Sequence, residues 1–379
     1  MTGHIERRGK DSWRIIVELP RHAATGRRRQ QRLTVRGTKK EAERALVEAL
    51  RRRDRGIDVE PTRVTLAEYL ERWLTDYAEQ NVAASTLQRY RQIARRLSAL
   101  IGDLRLQELR PAQIQAAYSE LGGDGLAPRT VLHHHRLLKQ ALSHAVGWQL
   151  LEQNPADAVR PPRAQRPEMR ALDPGEVARL LDACTDDDLR RLVFTAVSTG
   201  LRLGELLGLQ WDDIDLGRRT ATIRRTAQYL GPDGVQLRTP KTPRSRRTLS
   251  LSDSTVATLR EHRLAQNERR LRLGPAFHDR GFVFAGPDGR VLPAYSISEP
   301  FRRAVKRAGL AKLRFHDLRH TSATLSLLAG VPAKVISDRL GHTSVAFTLD
   351  TYAHVLPDQQ REAAQALDAL LPKPRRRLP

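Results

Sequence analysis

The chain has 379 residues, 66 of them Lys or Arg against 43 Asp or Glu, for a formal charge of +23 and an isoelectric point near 11.1. That length supports two or three domains with sizeable cores, and the charge calls for a polyanionic partner, with Arg, whose planar fork matches phosphate oxygens, dominating the basic set. A single cysteine, Cys184, excludes an intrachain disulfide and a four-cysteine metal site and points to a reducing compartment. No apolar run approaches the ~18 residues of a membrane helix, and "MTGHIERRGKDSW" lacks the apolar core of a signal peptide. A cytoplasmic, nucleoid-associated protein that meets nucleic acid is therefore expected.

Residues 1–60 alternate apolar and polar positions in "SWRIIVELP", which lies between "GHIERRG" and "RRRQQRLTV"; with the turn residues Thr25 and Gly26 this predicts three short strands. A capping box from Thr38 to Glu41 opens a helix through "EAERALVEALRRRDRG". The runs Arg27-Arg28-Arg29 and Arg51-Arg52-Arg53 flank this thin sheet. They read either as solvated charge or as the face of an accessory nucleic-acid-binding module.

After Pro61 the pattern is helical to about residue 155, opening on a second capping box, Thr65 to Glu68, and continuing through "STLQRYRQIARRLSALIG", "RPAQIQAAYSEL" and "APRTVLHHHRLLKQALSHAVGWQLL". Arg89, Arg91, Arg95 and Arg96 give this bundle a basic face. The triplet His133-His134-His135 cannot converge on one ion, because adjacent helical residues point in different directions. The stretch "NPADAVRPPRAQRPEMRALDP", residues 154–174, has five prolines and reads as an extended basic linker.

Beyond it come helices, a β-rich insert ("RRTATIRRTAQYL" and "SRRTLSLS" around a Pro- and Gly-rich turn), and helices again. The acidic "WDDID", residues 211–215, is expected to cap and turn the chain rather than to bind metal. The whole reads as a multidomain, mainly α protein with small β elements. Its expected parts are a three-stranded sheet plus helix over 1–60, a helical bundle over 63–160, a linker over 161–170 and an α+β domain over 171–379.

Four stretches of the last part place basic or polar groups where helices start or turns occur. In "TAVSTGLRLGELLGLQW" Gly200 ends a helix and Arg202 opens the next, with Glu205 at i+3 as its expected partner. In "RFHDLRHTSATLSLLAG" His316, Arg319 and His320 share one face at a helix N-terminus, an anion-binding position, while Leu325, Leu327, Leu328 and Ala329 are expected to anchor the helix in a core. Lys241 lies in a turn between strands in "LRTPKTPRSRRTLSL". Finally "LGHTSVAFTLDTYAHV", residues 340–355, holds His342 and then Tyr352 among polar neighbours. Each signal alone is ordinary.

Taken in order, "TGLRLGE", "H-x-L-R-H", "LGH" and the terminal "TYAH" resemble the motifs of the tyrosine recombinases, the phage-integrase family, and "NPADAV" is similar to the end of that family's helical core-binding, SAM-like domain. The resemblance implies a site-specific DNA recombinase that breaks and rejoins DNA through a 3′-phosphotyrosine, without metal, ATP or any cofactor. It implies Tyr352 as nucleophile, Arg202 and Arg319 with His316 and His342 around the phosphate, and Lys241 as acid for the 5′-hydroxyl. Glu205 and His320 would support them. The same resemblance makes residues 1–60 an arm-type DNA-binding domain and adds Arg27, Arg28, Arg29, Arg89, Arg95 and Arg96 as DNA contacts.

The implied partners are double-stranded attachment sites, a homotetramer assembled on DNA, a directionality factor and a DNA-bending protein. Three other readings stay open on sequence: a resolving recombinase of the same family, a non-catalytic DNA-binding protein, and a metal-dependent nuclease. The basic N-terminal extension argues against the first, and a complete catalytic set argues against the second.

Overall fold

The computed structural model describes residues 3–19, 29–54, 62–164, 170–231, 234–239 and 246–341, with 344, 345, 365, 368 and 371. The chain divides into two compact units, residues 1–166 and 167–379.

In the first unit β1 (Gly3–Gly9), β2 (Ser12–Leu19) and β3 (Arg29–Arg36) form an antiparallel sheet in that order, followed by α1 (Lys39–Asp54). The register aligns Ile5, Ile15 and Leu33 across the sheet. Because side chains alternate along a strand, this row shares a face with Val17 and Val35, and Leu46, Ala49 and Leu50 of α1 pack against it. The capping box forms: the Thr38 amide donates to Glu41 Oε2 at 2.7 Å, and the Glu41 amide donates back to Thr38 Oγ1 at 3.4 Å. Arg29 lies on β3 and Arg51 is exposed on α1, while Arg27 and Arg28 lie outside the described residues.

A helical bundle follows. Helix α2 (Leu66–Trp73) runs through a π-helical turn (Leu74–Ala78) into the short α3 (Glu79–Asn81); then come α4 (Ala84–Ile101), α5 (Pro111–Gly123) and α6 (Pro128–Gly147). The expected cap of α2 is present, with the Glu68 amide donating to Thr65 Oγ1 and the Thr65 amide to Glu68 Oε2. Tyr69, Leu70, Trp73, Leu97, Ile114, Tyr118 and Leu138 are almost wholly buried, each large apolar side chain contributing roughly 1.5–3 kcal/mol. Trp73 stacks between Tyr77 and Tyr90, and its Nε1 donates to His144 Nδ1 at 2.9 Å. The histidine triplet is divided among separate surroundings: His134 Nδ1 meets the Thr130 carbonyl at 2.8 Å, and His135 Nδ1 meets the Tyr118 hydroxyl at 3.3 Å. Arg89, Arg95 and Arg96 are exposed on α4, and Arg91 pairs with Glu79.

The second unit opens with α7 (Pro174–Asp182), α8 (Asp187–Thr199) and the five-residue α9 (Leu203–Leu207). Strands β4 (Ile214–Asp215), β5 (Thr220–Ile223) and β8 (Arg247–Ser250) make one sheet, and β6 (Thr226–Tyr229) with β7 (Val235–Arg238) makes another. Helices α10 (Asp253–Leu273), α11 (Ala294–Arg307), α12 (Asp317–Leu328) and α13 (Ala333–Leu340) complete it. Leu192, Val193, Leu206, Leu249, Val283, Phe301 and Leu318 form its core.

The stretch "RRTATIRRTAQYL" divides at Arg224 and Arg225, which leave β5 and enter β6 of the other sheet. Asp213, buried in the middle of "WDDID", holds that corner: it pairs with Arg225 Nη1 at 2.7 Å and with Arg224 Nη1 at 3.5 Å, and accepts from the Gln210 amide at 3.0 Å. The acidic knot caps and turns the chain, as its position predicts.

Helix α12 departs from expectation in what anchors it. Leu328 is 60% exposed and Ala329 is exposed, because both fall at the helix end past the buried stripe. The anchors are Leu318 in the main core and Ala323 and Leu327, which join Ile336 and Leu340 of α13 in a satellite cluster. Among the described residues no helix is long and apolar enough to cross a membrane.

Candidate active site

The site is built where α8 ends, α9 begins, and α12 and α13 pack beside them. Gly200 closes α8 in the left-handed region at φ 68°, and its amide still donates to Ala196. A Cβ there would stand 2.4 Å from Leu340 Cδ2 and 3.1 Å from Ser322 Oγ. Glycine thus serves both the turn and the close approach of α12 and α13.

Two residues later Arg202 caps α9. Its amide donates to Glu205 Oε2 at 3.0 Å and its Nη1 to Glu205 Oε1 at 2.9 Å. Glu205 is buried, while the Arg202 side chain remains 40% exposed. A carboxylate out of water needs more than one half-exposed partner. The second is Arg247 at the start of β8, whose Nη1 and Nη2 donate to Glu205 Oε1 and Oε2 at 3.3 and 3.0 Å. Burial raises the Glu205 pKa, but the hydrogen bonds and charge of Arg247, followed by those of Arg202, outweigh it and hold the carboxyl below the ordinary range.

Arg247 is not among the residues that the sequence motifs single out. Its signal was the two-residue period of "RTLS": Leu249 points inward, so Arg247 shares its face and enters the interior. It was hidden among the neighbouring basic residues of "PRSRRT".

His316 caps α12 and is exposed. The turn before it is closed by Asp317, which accepts from the Arg314 amide at 2.8 Å and from Arg314 Nη2 at 2.7 Å. Arg319, one turn into the helix, is buried, and donates from Nη1 to the Gly200 carbonyl at 2.9 Å and from Nη2 to the Leu340 carbonyl at 2.6 Å. These are carbonyls at the ends of α8 and α13, where the helix dipoles are negative. His320 is also buried, its ring 5.3 Å from that of His316 and nearly perpendicular to it.

Arg202, Arg319 and His316 converge electrostatically. Desolvation by surrounding atoms, then the charges of Arg319 and Arg202, push the His316 pKa below the ordinary histidine range. His320 is pushed down to about 4, by burial first and then by His316. Both rings are therefore neutral near pH 7, and a neutral imidazole offers one donor and one acceptor. Of the remaining expected residues, Lys241, His342 and Tyr352 lie outside the described residues. Among the described residues no three His, Cys, Asp or Glu side chains gather as a metal-binding group.

Residues 170–359 match the phage integrase family, and residues 65–122 match the phage integrase N-terminal SAM-like domain. A tyrosine recombinase XerC-like protein of Caldanaerobacter subterraneus subsp. tengcongensis is 30% identical over 353 residues, 88% of this chain and 90% of that protein. The ICEBs1 integrase of Bacillus subtilis is 30% identical over 270 residues, 70% of this chain and 72% of its own. Among solved structures, the Tn1549 transposon integrase in complex with a circular intermediate DNA shares the fold at TM-score 0.68 and 20% identity, covering 80% of this chain and 99% of that one. A lambda integrase tetramer bound to a Holliday junction shares it at TM-score 0.57 and 20% identity, covering 92% and 96%. The chain belongs to the phage integrase family, the tyrosine recombinases that break and rejoin DNA at specific sites.

Proposed function

We propose that the chain is the integrase of a mobile element or prophage, and that Tyr352 is its nucleophile. The phenol gives up its proton to solvent as its oxygen attacks the scissile phosphorus, the P–O bond to the 5′-oxygen breaks, and a 3′-phosphotyrosine retains the energy needed for rejoining. Attack places extra negative charge on a five-coordinate phosphorus, so donors fixed in advance lower the barrier. Arg202 and Arg319 supply that charge, with His316 and His342 hydrogen-bonding the non-bridging oxygens. Lys241 gives its proton to the departing 5′-oxygen, which leaves as a hydroxyl, Glu205 orients Arg202, and His320 packs behind His316.

The observation that supports this reading is the bond from Arg319 Nη1 to the Gly200 carbonyl at 2.9 Å, which ties the helix bearing His316 and Arg319 to the turn two residues before the half-exposed Arg202. Tyr352→Phe removes only the hydroxyl, so DNA binding should persist while covalent attachment to a nicked suicide substrate disappears. An adduct trapped by this variant would overturn the assignment.

The four-part division over 1–60, 63–160, 161–170 and 171–379 belongs to the same proposal. Residues 1–60 contact separate arm sites through Arg27, Arg28 and Arg29, and the bundle contacts core sites through Arg89, Arg95 and Arg96. Exposure of the last three on α4 supports this. On its attachment sites the chain assembles as a tetramer, the assembly named for lambda integrase on a Holliday junction. A directionality factor and a DNA-bending protein complete the set of partners, and the work is done on the nucleoid in the cytoplasm.

A further inference from the structure

We propose that Arg247 is a positioning residue, which aligns Arg202 through Glu205 and holds the end of α13 in register with it. The inference rests on the phosphoryl-transfer reading of the site. Its first support is the order of the chain of contacts from interior to surface. The Arg247 side chain is 8% exposed, Glu205 4% and Arg202 40%, so a buried guanidinium backs a buried carboxylate that grips a half-exposed guanidinium. Each oxygen of Glu205 serves both arginines: Oε1 takes Arg202 Nη1 and Arg247 Nη1, and Oε2 takes the Arg202 amide and Arg247 Nη2. The carboxylate cannot rotate without breaking contacts on both sides, which fixes the direction in which it holds Arg202.

The second support is a reciprocal tie between β8 and α13. Arg247 Nε donates to the Arg339 carbonyl at 2.5 Å, satisfying a carbonyl of the helix end. Arg339 in turn donates from Nη1 to the Ser250 carbonyl at 2.9 Å and from Nη2 to the Ser198 carbonyl at 3.2 Å. Arg339 stands three residues before His342 in the chain, with the left-handed Gly341 between them. One buried side chain therefore meets the support of Arg202 and the helix that leads to His342.

Without Arg247, Glu205 would keep Arg202 as its charged partner and draw that guanidinium toward itself. The loss should appear in cleavage and not in the capture of DNA. The test compares full-length wild type, Arg247→Met, Arg247→Lys, Arg202→Ala and the double variant of Arg247→Met with Arg202→Ala. The readouts are single-turnover formation of the covalent adduct on a nicked suicide substrate, half-site affinity, and Tm. Arg247→Met should cleave about 10²-fold more slowly, the usual loss for a misplaced charge donor, with half-site affinity within about threefold of wild type. Arg247→Lys, which keeps the charge but not the fork, should fall between them.

Because the alignment of Arg202 is one of the two things Arg247 holds, its substitution should cost less in the Arg202→Ala background, whereas a merely structural role would slow both backgrounds equally. Should Arg247→Met fail to fold, Arg247→Lys is read in both backgrounds by the same criterion. Folded Arg247 variants that cleave like wild type, or losses that multiply fully with Arg202→Ala, would overturn the inference. Wild-type cleavage by Arg202→Ala would instead overturn the phosphoryl-transfer reading itself.

Discussion

Arg319 donates through Nη2 to the carbonyl of Leu340 at 2.6 Å, binding the helix that carries "H-x-L-R-H" to the last residue of α13. A second bond, from Nη1 to the Gly200 carbonyl at 2.9 Å, reaches the turn that delivers Arg202. Arg319 thus ties helix ends together in addition to its proposed part as charge donor, while the Arg202 side chain, held by Glu205 on a short helix, stays 40% exposed.

The two arginines should separate on stability while agreeing on chemistry. Either Arg319→Ala or Arg202→Ala should slow cleavage by at least ~10²-fold. Arg319→Ala should also lower Tm by about 5–10 °C, since two helix-end carbonyls each lose a charged donor, while Arg202→Ala should move it by no more than about 2 °C. Parallel melting curves and single-turnover cleavage assays check this. Equal Tm losses would show that Arg202 is as much a structural tie as Arg319.

What sequence disclosed and what it concealed follow from the range of each interaction. The capping boxes at Thr38 and Thr65, the turn at Gly200 and the pairing of Arg202 with Glu205 are encoded within four residues, and each was legible. Arg247 meets Glu205 across 42 residues and Arg339 across 92, and such contacts leave only a faint two-residue period in β8. The burial of Arg319 was likewise out of reach. Helical spacing placed it beside His316, but only the packing of α8 and α13 decides that its donors meet main-chain carbonyls. Leu328 failed as an anchor because periodicity tells which face a residue occupies and not where the neighbouring helix stops.

The buried histidine makes stability depend on pH. His320 falls from an ordinary 6.5 to about 4 in the fold, so the unfolded chain binds its proton more readily. The stability at stake is present above pH 6.5 and is lost as pH falls toward 4, and His316, also depressed, acts in the same direction. For His320 the loss is at most about 3 kcal/mol. Urea unfolding at pH 7.5 and pH 5 should show wild type weakening on acidification and His320→Gln weakening less. Identical pH dependence in the two proteins would mean that His320 does not titrate across folding.

The N-terminal segment makes a prediction through salt. Residues 1–60 contain 17 Arg and Lys against 9 Asp and Glu. If they hold arm-site phosphates, deletion should lower affinity for a full attachment site and flatten its dependence on salt, since fewer counterions are released on binding. Cleavage of an isolated core site should survive. An unchanged salt slope on the full site would show that the segment does not contact phosphate.

The role of Lys241 can be isolated by changing the leaving group instead of the protein. In strand cleavage the 5′-oxygen departs as an alkoxide unless a proton reaches it, and Lys241, which follows β7 in the sequence, is the proposed donor. Replacing that bridging oxygen by sulfur gives a thiolate, which leaves without a proton. Lys241→Ala should therefore slow cleavage of the normal substrate strongly, by roughly 10²–10⁴-fold, and cleave the 5′-phosphorothiolate at close to the wild-type rate. Arg202→Ala should remain slow on both substrates, because sulfur does nothing for the charge on the non-bridging oxygens. That contrast assigns the proton and the charge to different side chains. If Lys241→Ala is equally slow on oxygen and sulfur, the lysine serves the phosphate or the DNA backbone, and the acid must be sought elsewhere in the site.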